Sequence, residues 1–186
     1  TVIMCAGTLG KISKFENTSV KNYKKTFEIN FFGQVEFCKF LLKKKLLKLN
    51  SNLIFLSTSL CKPDPLFSEY STSKHAQYAL MLTLSEELKS KKIFVNCLMP
   101  GQLNTKMNQQ KINSKKVISN KIFKQAKIIK KIDKKKKVKK IYNILSLLIK
   151  KNSKLNIYGK IISAQHDNLN NYKSRNKKLF TFYRDA

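Results

Sequence analysis

Short apolar runs alternate along this chain with long helical patterns, and no other feature of the sequence constrains the fold as much. The runs have the length and composition of buried strands, and they lie at 2–5, 53–56, 93–98 and 157–163. The helical patterns lie at 20–49, 70–89, 119–131 and 134–151. Strands separated by helices of ten residues or more pair in parallel, because a parallel crossover needs a long connection. The sequence therefore predicts an α/β fold with a largely parallel sheet.

Two of the predicted helices carry a continuous apolar face. In the helix over 20–49, residues of this face recur every four positions, and they are Tyr23, Phe27, Phe31 and Val35. The helix over 70–89 has Ser68 as its expected N-cap. Its inward-facing residues are expected to be Ala76, Ala79, Leu80, Leu84 and Leu88.

The net charge of the chain is +29, from 39 basic and 10 acidic residues. Such a balance points to nucleic acid or an acidic membrane surface as a partner. All the basic residues except Arg175 and Arg184 are lysine, whereas base readout and bidentate phosphate binding favour arginine. The abundance of Lys, Asn and Ile also fits drift in an AT-biased genome. Nucleic-acid binding, best supported by the lysine cluster at 134–140, is therefore kept as an alternative.

The four cysteines are widely spaced and lie among apolar residues, and they are Cys5, Cys38, Cys61 and Cys97. This pattern predicts free thiols in a reducing compartment, and hence a cytoplasmic protein, rather than disulfides or a metal site. No apolar run approaches the roughly 20 residues of a membrane span. The residues after Thr1 also lack the pattern of a signal peptide.

Tyr70 and Lys74 form a Tyr-x-x-x-Lys pattern on a predicted helix. Residues i and i+4 share one helix face, so the phenol and the ammonium can approach each other. A nearby ammonium favours the phenolate, which would bring a tyrosine with an ordinary pKa near 10 into a range useful for proton transfer. Lysine is so frequent here that one such pair is expected by chance.

The surroundings of this pair make it informative. Hydroxyl, glycine and proline residues follow three of the predicted strands, and the carboxyl ends of parallel strands meet at the edge where open α/β sheets bind ligands. In chain order, the set of candidate residues is Ala6-Gly7, Asn30, Ser57-Thr58-Ser59, Tyr70, Lys74, Pro100-Gly101 and Thr105.

This ordered set resembles the short-chain dehydrogenase/reductase family over 2–105. The family's Asn-Asn-Ala-Gly stands here as Met4-Cys5-Ala6-Gly7, its Tyr-x-x-x-Lys as Tyr70 and Lys74, and its Pro-Gly-x-x-x-Thr as Pro100, Gly101 and Thr105. The resemblance implies a Rossmann-like, doubly wound sheet. It also implies an enzyme that uses NAD or NADP to oxidise or reduce a small-molecule alcohol or carbonyl.

The resemblance further implies roles for individual residues. Tyr70 would exchange a proton with the substrate oxygen, and Lys74 would lower the pKa of Tyr70 and bind the nicotinamide ribose. Asn30 would hold a water on a proton relay to Lys74, although a solvated helix face is its alternative. Ser57, 13 residues before Tyr70, is favoured to hold the substrate carbonyl, with Thr58 and Ser59 as alternatives. The expected cofactor contacts are Ala6, Gly7, Tyr70, Lys74, Pro100, Gly101 and Thr105, the last also a possible helix N-cap.

Two departures from the family pattern matter. Cys5 replaces an asparagine that supports the cofactor edge. The five glycines contain no Gly-x-x-x-Gly-x-Gly turn, and they are Gly7, Gly10, Gly33, Gly101 and Gly159. That turn lets the backbone approach the pyrophosphate. We therefore expect the first βαβ units, roughly 60 to 90 residues, to precede Thr1, and this chain to be an N-terminally truncated fragment that binds a dinucleotide poorly.

The expected organisation is a partial catalytic domain at 1–165 followed by a polar tail at 166–186. The leading interpretation is an oxidoreductase fragment, and the alternatives are a non-enzymatic remnant and the nucleic-acid-binding protein. The segment at 106–125 is expected to set the substrate. The two long helices imply a homodimer or homotetramer.

Overall fold

A four-stranded parallel sheet organises the protein in the computed structural model, which describes residues 1–58, 65–115, 118–131, 134–167 and 169. The strands are β1 (Val2–Met4), β2 (Asn52–Leu56), β3 (Phe94–Met99) and β4 (Ile161–Ser163). They lie in the order β1-β2-β3-β4, and every neighbouring pair is parallel. The predicted α/β fold with a parallel sheet is confirmed.

Helices connect the strands. The helices are α1 (Val20–Phe27), α2 (Gly33–Lys43), α3 (Ser68–Lys89), α4 (Lys106–Asn113), α5 (Asn120–Lys131) and α6 (Lys134–Leu155). A π-helical turn, Glu28–Phe32, joins α1 to α2 without a break. A short 3₁₀ turn, Phe15–Asn17, precedes α1.

The sheet buries both of its faces, because alternate side chains of a strand point to opposite sides. Leu53 and Phe55 of β2 pack with residues of α2 and α3 in one apolar cluster. Ile54 lies on the other face and packs in a second cluster with Leu148 of α6. Helices therefore cover the sheet on two sides, as the doubly wound arrangement requires.

Several element boundaries differ from the sequence-based expectation. The first long helix ends at Lys43 rather than at residue 49, because Lys45 adopts a φ of 53° and the Leu46 amide donates back to the Leu41 carbonyl. That pattern is a Schellman C-cap. Phe67, rather than Ser68, is the N-cap of α3. The last strand begins at Ile161, not at residue 157.

The expected inward-facing set of α3 is wrong at Ala79, which is exposed. In the first long helix, Phe27 and Val35 are only half-buried, and the fully buried positions include Thr26 and Asn30. Polar side chains thus occupy the packed face of these helices. No helix within the described ranges is long and apolar enough to cross a bilayer.

The strand register brings the candidate residues together. Met4 pairs with Phe55, and Leu56 pairs with Leu98, so the carboxyl ends of β1, β2 and β3 lie side by side. The segments that follow these three strands therefore meet at one edge of the sheet. Ser59 lies outside the described residues. So does the expected tail at 166–186, apart from residues 166, 167 and 169.

Candidate active site at the carboxyl edge of the sheet

Tyr70 and Lys74 lie on the first turns of α3, where the helix starts beside this edge of the sheet. The Nζ of Lys74 is 6.0 Å from the centroid of the Tyr70 ring. Lys74 is only 4% exposed, and Tyr70 is half-buried. The helical spacing of four residues therefore places the phenol and the ammonium side by side, as predicted.

The ammonium of Lys74 is held by protein oxygens. It donates to the Leu56 carbonyl at 2.8 Å and to Oε1 of Gln77 at 3.3 Å. Burial lowers the pKa of Lys74 to about 8, and Cys97 and Cys5 act in the opposite direction. Because an ammonium has three N–H donors, these two bonds leave one for a ligand.

Gln77 is a site residue that the sequence did not reveal. It is fully buried, and its Nε2 donates to Oε1 of Gln34 at 2.5 Å. Gln34 in turn donates through Nε2 to the Ala6 carbonyl at 3.1 Å. These bonds fix the Gln77 amide with its oxygen toward Lys74. The only sequence signal was a polar residue at a core position, three residues after Lys74.

The hydroxyl of Tyr70 lies close to the side chain of Thr58. Burial raises the pKa of Tyr70, and a hydrogen bond with the Thr58 side chain acts against that rise. The expected lowering of this pKa by Lys74 is not what the structure shows. Burial is the larger of the two influences on the pKa of Tyr70, and the Lys74 ammonium donates to the Leu56 carbonyl and to Gln77.

Ser57, favoured on its spacing, lies differently. Its amide donates to the Leu98 carbonyl at 3.0 Å, which continues the β2–β3 ladder. Its side chain is buried and lies beside the Cys97 thiol. There it lowers the pKa of Cys97, against the larger rise that burial causes. The structure thus brings Thr58 to Tyr70, and the catalytic assignment of Ser57 stays a prediction.

Asn30 lies in the π-helical turn and is fully buried. Its Oδ1 accepts from the Thr8 amide at 2.7 Å, and its Nδ2 donates to the Thr8 carbonyl and to Oγ of Ser73, each at 2.9 Å. Asn30 therefore ties the loop after β1 to α3. The alternative of a solvated helix face is excluded by its burial.

Gly7 lies at the centre of the edge. A Cβ at this position would be 3.5 Å from Cε of Met107, 3.6 Å from Oδ1 of Asn30 and 3.8 Å from Nζ of Lys74. Ala6 precedes it and supplies the carbonyl that Gln34 holds. Cys5, the residue after the end of β1, is exposed.

The loop after β3 forms the other side of the edge. Gly101 has a φ of +76°, and a Cβ there would lie 2.6 Å from Cγ of Gln165, so only glycine fits. Gln165 also donates to the Pro100 carbonyl at 2.9 Å. Thr105 is the backbone N-cap of α4, but its side chain makes no capping hydrogen bond.

A ladder of three polar pairs joins the first long helix to α3. The Thr26 hydroxyl donates to Oε2 of Glu69 at 2.7 Å, and the other two pairs are Asn30–Ser73 and Gln34–Gln77. The ladder fixes the start of α3, and so Tyr70 and Lys74, against the loop after β1.

Comparisons with known proteins agree with this geometry. Residues 1–116 match the family model described as short chain dehydrogenase. A dehydrogenase/reductase SDR family protein 7-like from Drosophila melanogaster is 32% identical over 93 residues, which cover 50% of this chain and 28% of that protein. The SDR family member 7B of Rattus norvegicus is also 32% identical over 93 residues, covering 50% and 29%. The matched segment thus spans less than a third of either relative.

Solved structures share the fold. A short chain dehydrogenase from Escherichia coli CFT073, complexed with NADPH, has a TM-score of 0.66 at 22% identity, with 88% of this chain and 62% of that chain covered. An NAD⁺-bound xylitol dehydrogenase has a TM-score of 0.67 at 18% identity, with coverage of 87% and 65%.

Proposed function

Because this chain belongs to the short-chain dehydrogenase/reductase family, we propose that it forms the catalytic part of an NAD(P)-dependent oxidoreductase acting on an alcohol or a carbonyl. The observation that carries the proposal is the convergence of Thr58, Tyr70 and Lys74 at the carboxyl edge of the sheet, facing Gly7. A proton donor, its hydroxyl partner and a buried cation thus meet where open α/β sheets bind ligands.

The roles follow from the contacts. Tyr70 exchanges a proton with the substrate oxygen, and burial, by raising the pKa of its phenol, keeps it protonated and ready to donate to a carbonyl. Thr58 orients the phenol through its hydrogen bond and can donate to the same substrate oxygen. Lys74 uses its remaining N–H to hold a ligand hydroxyl beside Tyr70.

The residues present fit the nicotinamide end of a dinucleotide. Gly7 leaves a surface without a side chain beside Lys74, and the Gly101 turn follows β3 at the same edge of the sheet. The five glycines of the chain form no Gly-rich strand-to-helix turn, so the same residues do not provide for the pyrophosphate. A bound nicotinamide would supply or accept the hydride, and either NAD or NADP is compatible with this end of the site.

The direct test compares Tyr70→Phe with Tyr142→Phe in the natural protein, since Tyr142 is exposed on α6. Hydride transfer to or from NAD(P), followed by absorbance over a panel of carbonyls and alcohols, should fall by about 10²- to 10⁴-fold only in Tyr70→Phe. Equal rates in the two variants would refute the role of Tyr70. The intact mass of the natural protein is measured alongside, because a chain without further residues before Thr1 favours the non-enzymatic remnant.

The proposal includes self-association. Phe32, Phe37 and Phe40 are each close to half-exposed on the outer face of the first long helix, and large exposed apolar side chains in one region favour a protein interface. Light scattering should give a dimer or tetramer that Phe37→Asp converts to smaller species.

The free thiols of Cys5, Cys38 and Cys97 support a reducing compartment such as the cytoplasm.

A further inference from the structure

The helix α6 carries two sets of apolar side chains, and the sheet buries only one of them. Ile144 and Leu148 are buried and pack in the cluster on one face of the sheet. Val138, Tyr142 and Ile149 are 44%, 66% and 51% exposed. These three exposed residues are called the outer stripe below.

Helical spacing aligns the outer stripe. Steps of four and seven residues return to nearly the same direction on a helix with 3.6 residues per turn, so the three side chains form one line over about three turns. Their exposed fractions show that this line is open surface rather than core. A line of exposed apolar side chains on a helix is typical of a surface that binds a partner or a membrane.

The same helix is strongly basic. Nine of its 22 residues are lysine, and it contains no Asp, Glu or Arg. Lys139 and Lys150 are exposed, and their separation of three helical turns places both along one flank of the outer stripe. Lys137 and Lys140 donate to the carbonyls of residues 102 and 165, so they are not counted in this flank.

The sequence around α6 is as basic as the helix itself. Residues 88–186 contain 27 basic residues and three acidic ones, Asp133, Asp167 and Asp185. Asp167 accepts a hydrogen bond from the Ser163 amide. The segments that adjoin α6 in the chain therefore add positive charge to it rather than offset it.

The outer stripe decides between the two polyanions that the charge alone would fit. Nucleic-acid phosphates are contacted by basic and polar side chains, and arginine is favoured for their bidentate binding; α6 has no arginine and places three apolar side chains in its exposed line. An anionic bilayer accepts both features, because apolar side chains enter the boundary of headgroups and acyl chains while lysines meet the headgroups. A second copy of α6 would instead bring lysines against lysines.

We infer that α6 binds the surface of an anionic bilayer, with the outer stripe in the interfacial region and Lys139 and Lys150 at the headgroups. The helix lies along the surface without crossing it, because Ile144 and Leu148 stay packed on the sheet. The inference goes beyond the proposed function and does not depend on it, since binding to a bilayer is measured without turnover.

The experiment is co-sedimentation of the natural protein with vesicles of phosphatidylcholine, alone or mixed with phosphatidylserine. Affinity should be about tenfold or more higher for the mixed vesicles and should fall in about 0.5 M salt, because the attraction is screened. Lys139→Gln with Lys150→Gln should weaken binding about 10- to 30-fold, since each lysine near an anionic surface contributes about fivefold. Val138→Ser with Ile149→Ser should weaken it about tenfold.

Each double variant has a matched control. Lys43→Gln with Lys44→Gln removes the same charge at the end of α2, which packs on the opposite face of the sheet. Val20→Ser with Leu49→Ser removes two apolar side chains that are 71% and 66% exposed outside α6. Both controls should keep the affinity of the unmodified protein for the mixed vesicles.

Tyr142→Trp reports the contact itself. The 186 residues contain no tryptophan, so the emission added by this change comes from the outer stripe. With phosphatidylserine vesicles it should shift to shorter wavelength and be quenched by brominated lipid. Val20→Trp, at the start of α1, should show neither effect.

Four results would overturn the inference. They are equal binding to the two kinds of vesicle, an equal loss in the two double lysine variants, an unchanged Tyr142→Trp emission on bound vesicles, and lysine-dependent binding of duplex DNA without binding to vesicles. Self-association that Val138→Ser with Ile149→Ser abolishes, again without vesicle binding, would assign the stripe to a second copy. Hydride transfer by a protein that ignores vesicles would sustain the enzyme alone, and lysine-dependent vesicle binding without hydride transfer would sustain the inference alone.

Discussion

Gln77 accepts a hydrogen bond from the Lys74 ammonium, and exchanging its amide gives the sharpest test of how this site is built. Gln77→Leu removes the oxygen that lies 3.3 Å from Nζ of Lys74 while keeping a similar volume. Gln77→Glu keeps an oxygen at that place and adds a negative charge. The two changes should move the pKa of Lys74, which is about 8, in opposite directions.

The magnitudes follow from the contact. A hydrogen bond to a charged group contributes about 1.5 to 3 kcal/mol, and one pKa unit corresponds to about 1.4 kcal/mol. Because 3.3 Å is long for such a bond, the lower value applies, and Gln77→Leu should lower the pKa of Lys74 by about one unit. An opposite charge within about 4 Å raises a lysine pKa by about one to three units, which is the expectation for Gln77→Glu.

The assay is a ¹⁵N NMR titration of the lysine Nζ resonances, with Lys74 assigned from Lys74→Met. Its low pKa separates it from exposed lysines. Gln109→Glu is the control, because Gln109 is exposed on α4 and solvent screens a charge placed there. If the natural protein transfers hydride as proposed, the pH profile of that transfer should shift with the titration. An unchanged Lys74 pKa in Gln77→Leu would refute the role of Gln77 and leave burial, Cys97 and Cys5 as the determinants of this pKa.

The same pKa has a consequence for stability. Lys74 titrates near pH 8 in the folded chain, against an ordinary value of 10.5, so the unfolded state binds more protons in this window. The contribution of Lys74 to the free energy of unfolding therefore rises with pH, by about 1 kcal/mol from pH 8 to 9. Burial raises the pKa of Cys97 from 9.0 to about 12 and that of Cys38 to about 11, so both cysteines lower the free energy of unfolding as the pH rises through 9, and the comparison with Lys74→Met cancels their effect. Urea unfolding at pH 8 and 9 should show the rise in the unmodified chain relative to Lys74→Met, and parallel curves would contradict it.

Two other predictions concern hydroxyl groups. Thr58→Val should slow hydride transfer by about 10²-fold or more, because the Thr58 side chain lies close to the Tyr70 hydroxyl. Ser57→Ala should slow it much less. The reverse order of the two rates would support Ser57 as the catalytic hydroxyl. Thr26→Val should lower the free energy of unfolding by about 1 to 3 kcal/mol, since Oε2 of the buried Glu69 then keeps only the 3.2 Å bond from the Lys11 amide. Thr83→Val, on the exposed side of α3, should cost about 0.5 kcal/mol or less, and equal losses in urea unfolding would show that the buried bond contributes nothing.

The fold could be predicted from the sequence because its signals are local. Apolar runs and helical spacing gave the order of strands and helices, and parallel pairing followed from the length of the connections. Tyr70 and Lys74 were found because four residues on a helix fix their proximity whatever surrounds them. The end at Lys43 was missed, since a non-glycine residue, Lys45, adopts the left-handed conformation there.

The choice between Ser57 and Thr58 could not be made from spacing. Along a strand, adjacent side chains point to opposite faces, so one residue of register decides which hydroxyl reaches Tyr70. Counting 13 residues back from Tyr70 assumes a fixed loop between the strand and α3. The register of β2 against β3 instead buries Ser57 beside Cys97, and that register depends on contacts far apart in the chain.

The polar ladder shows why the buried face of the first long helix was also misassigned. Apolar periodicity pointed to Phe27 and Val35, yet Asn30 and Gln34 are among the fully buried positions and Phe27 and Val35 are only half-buried. A buried amide costs stability unless it is hydrogen-bonded, and each of these amides has its partner on α3, 43 residues later in the chain. A polar side chain therefore does not by itself indicate a solvated helix face, because it can be buried when it bonds to a polar side chain on the helix that packs against it. The last pair of the ladder is Gln34–Gln77, and Gln77 also accepts from the Lys74 ammonium. The bonds that pack the two helices therefore also position the ammonium of the site.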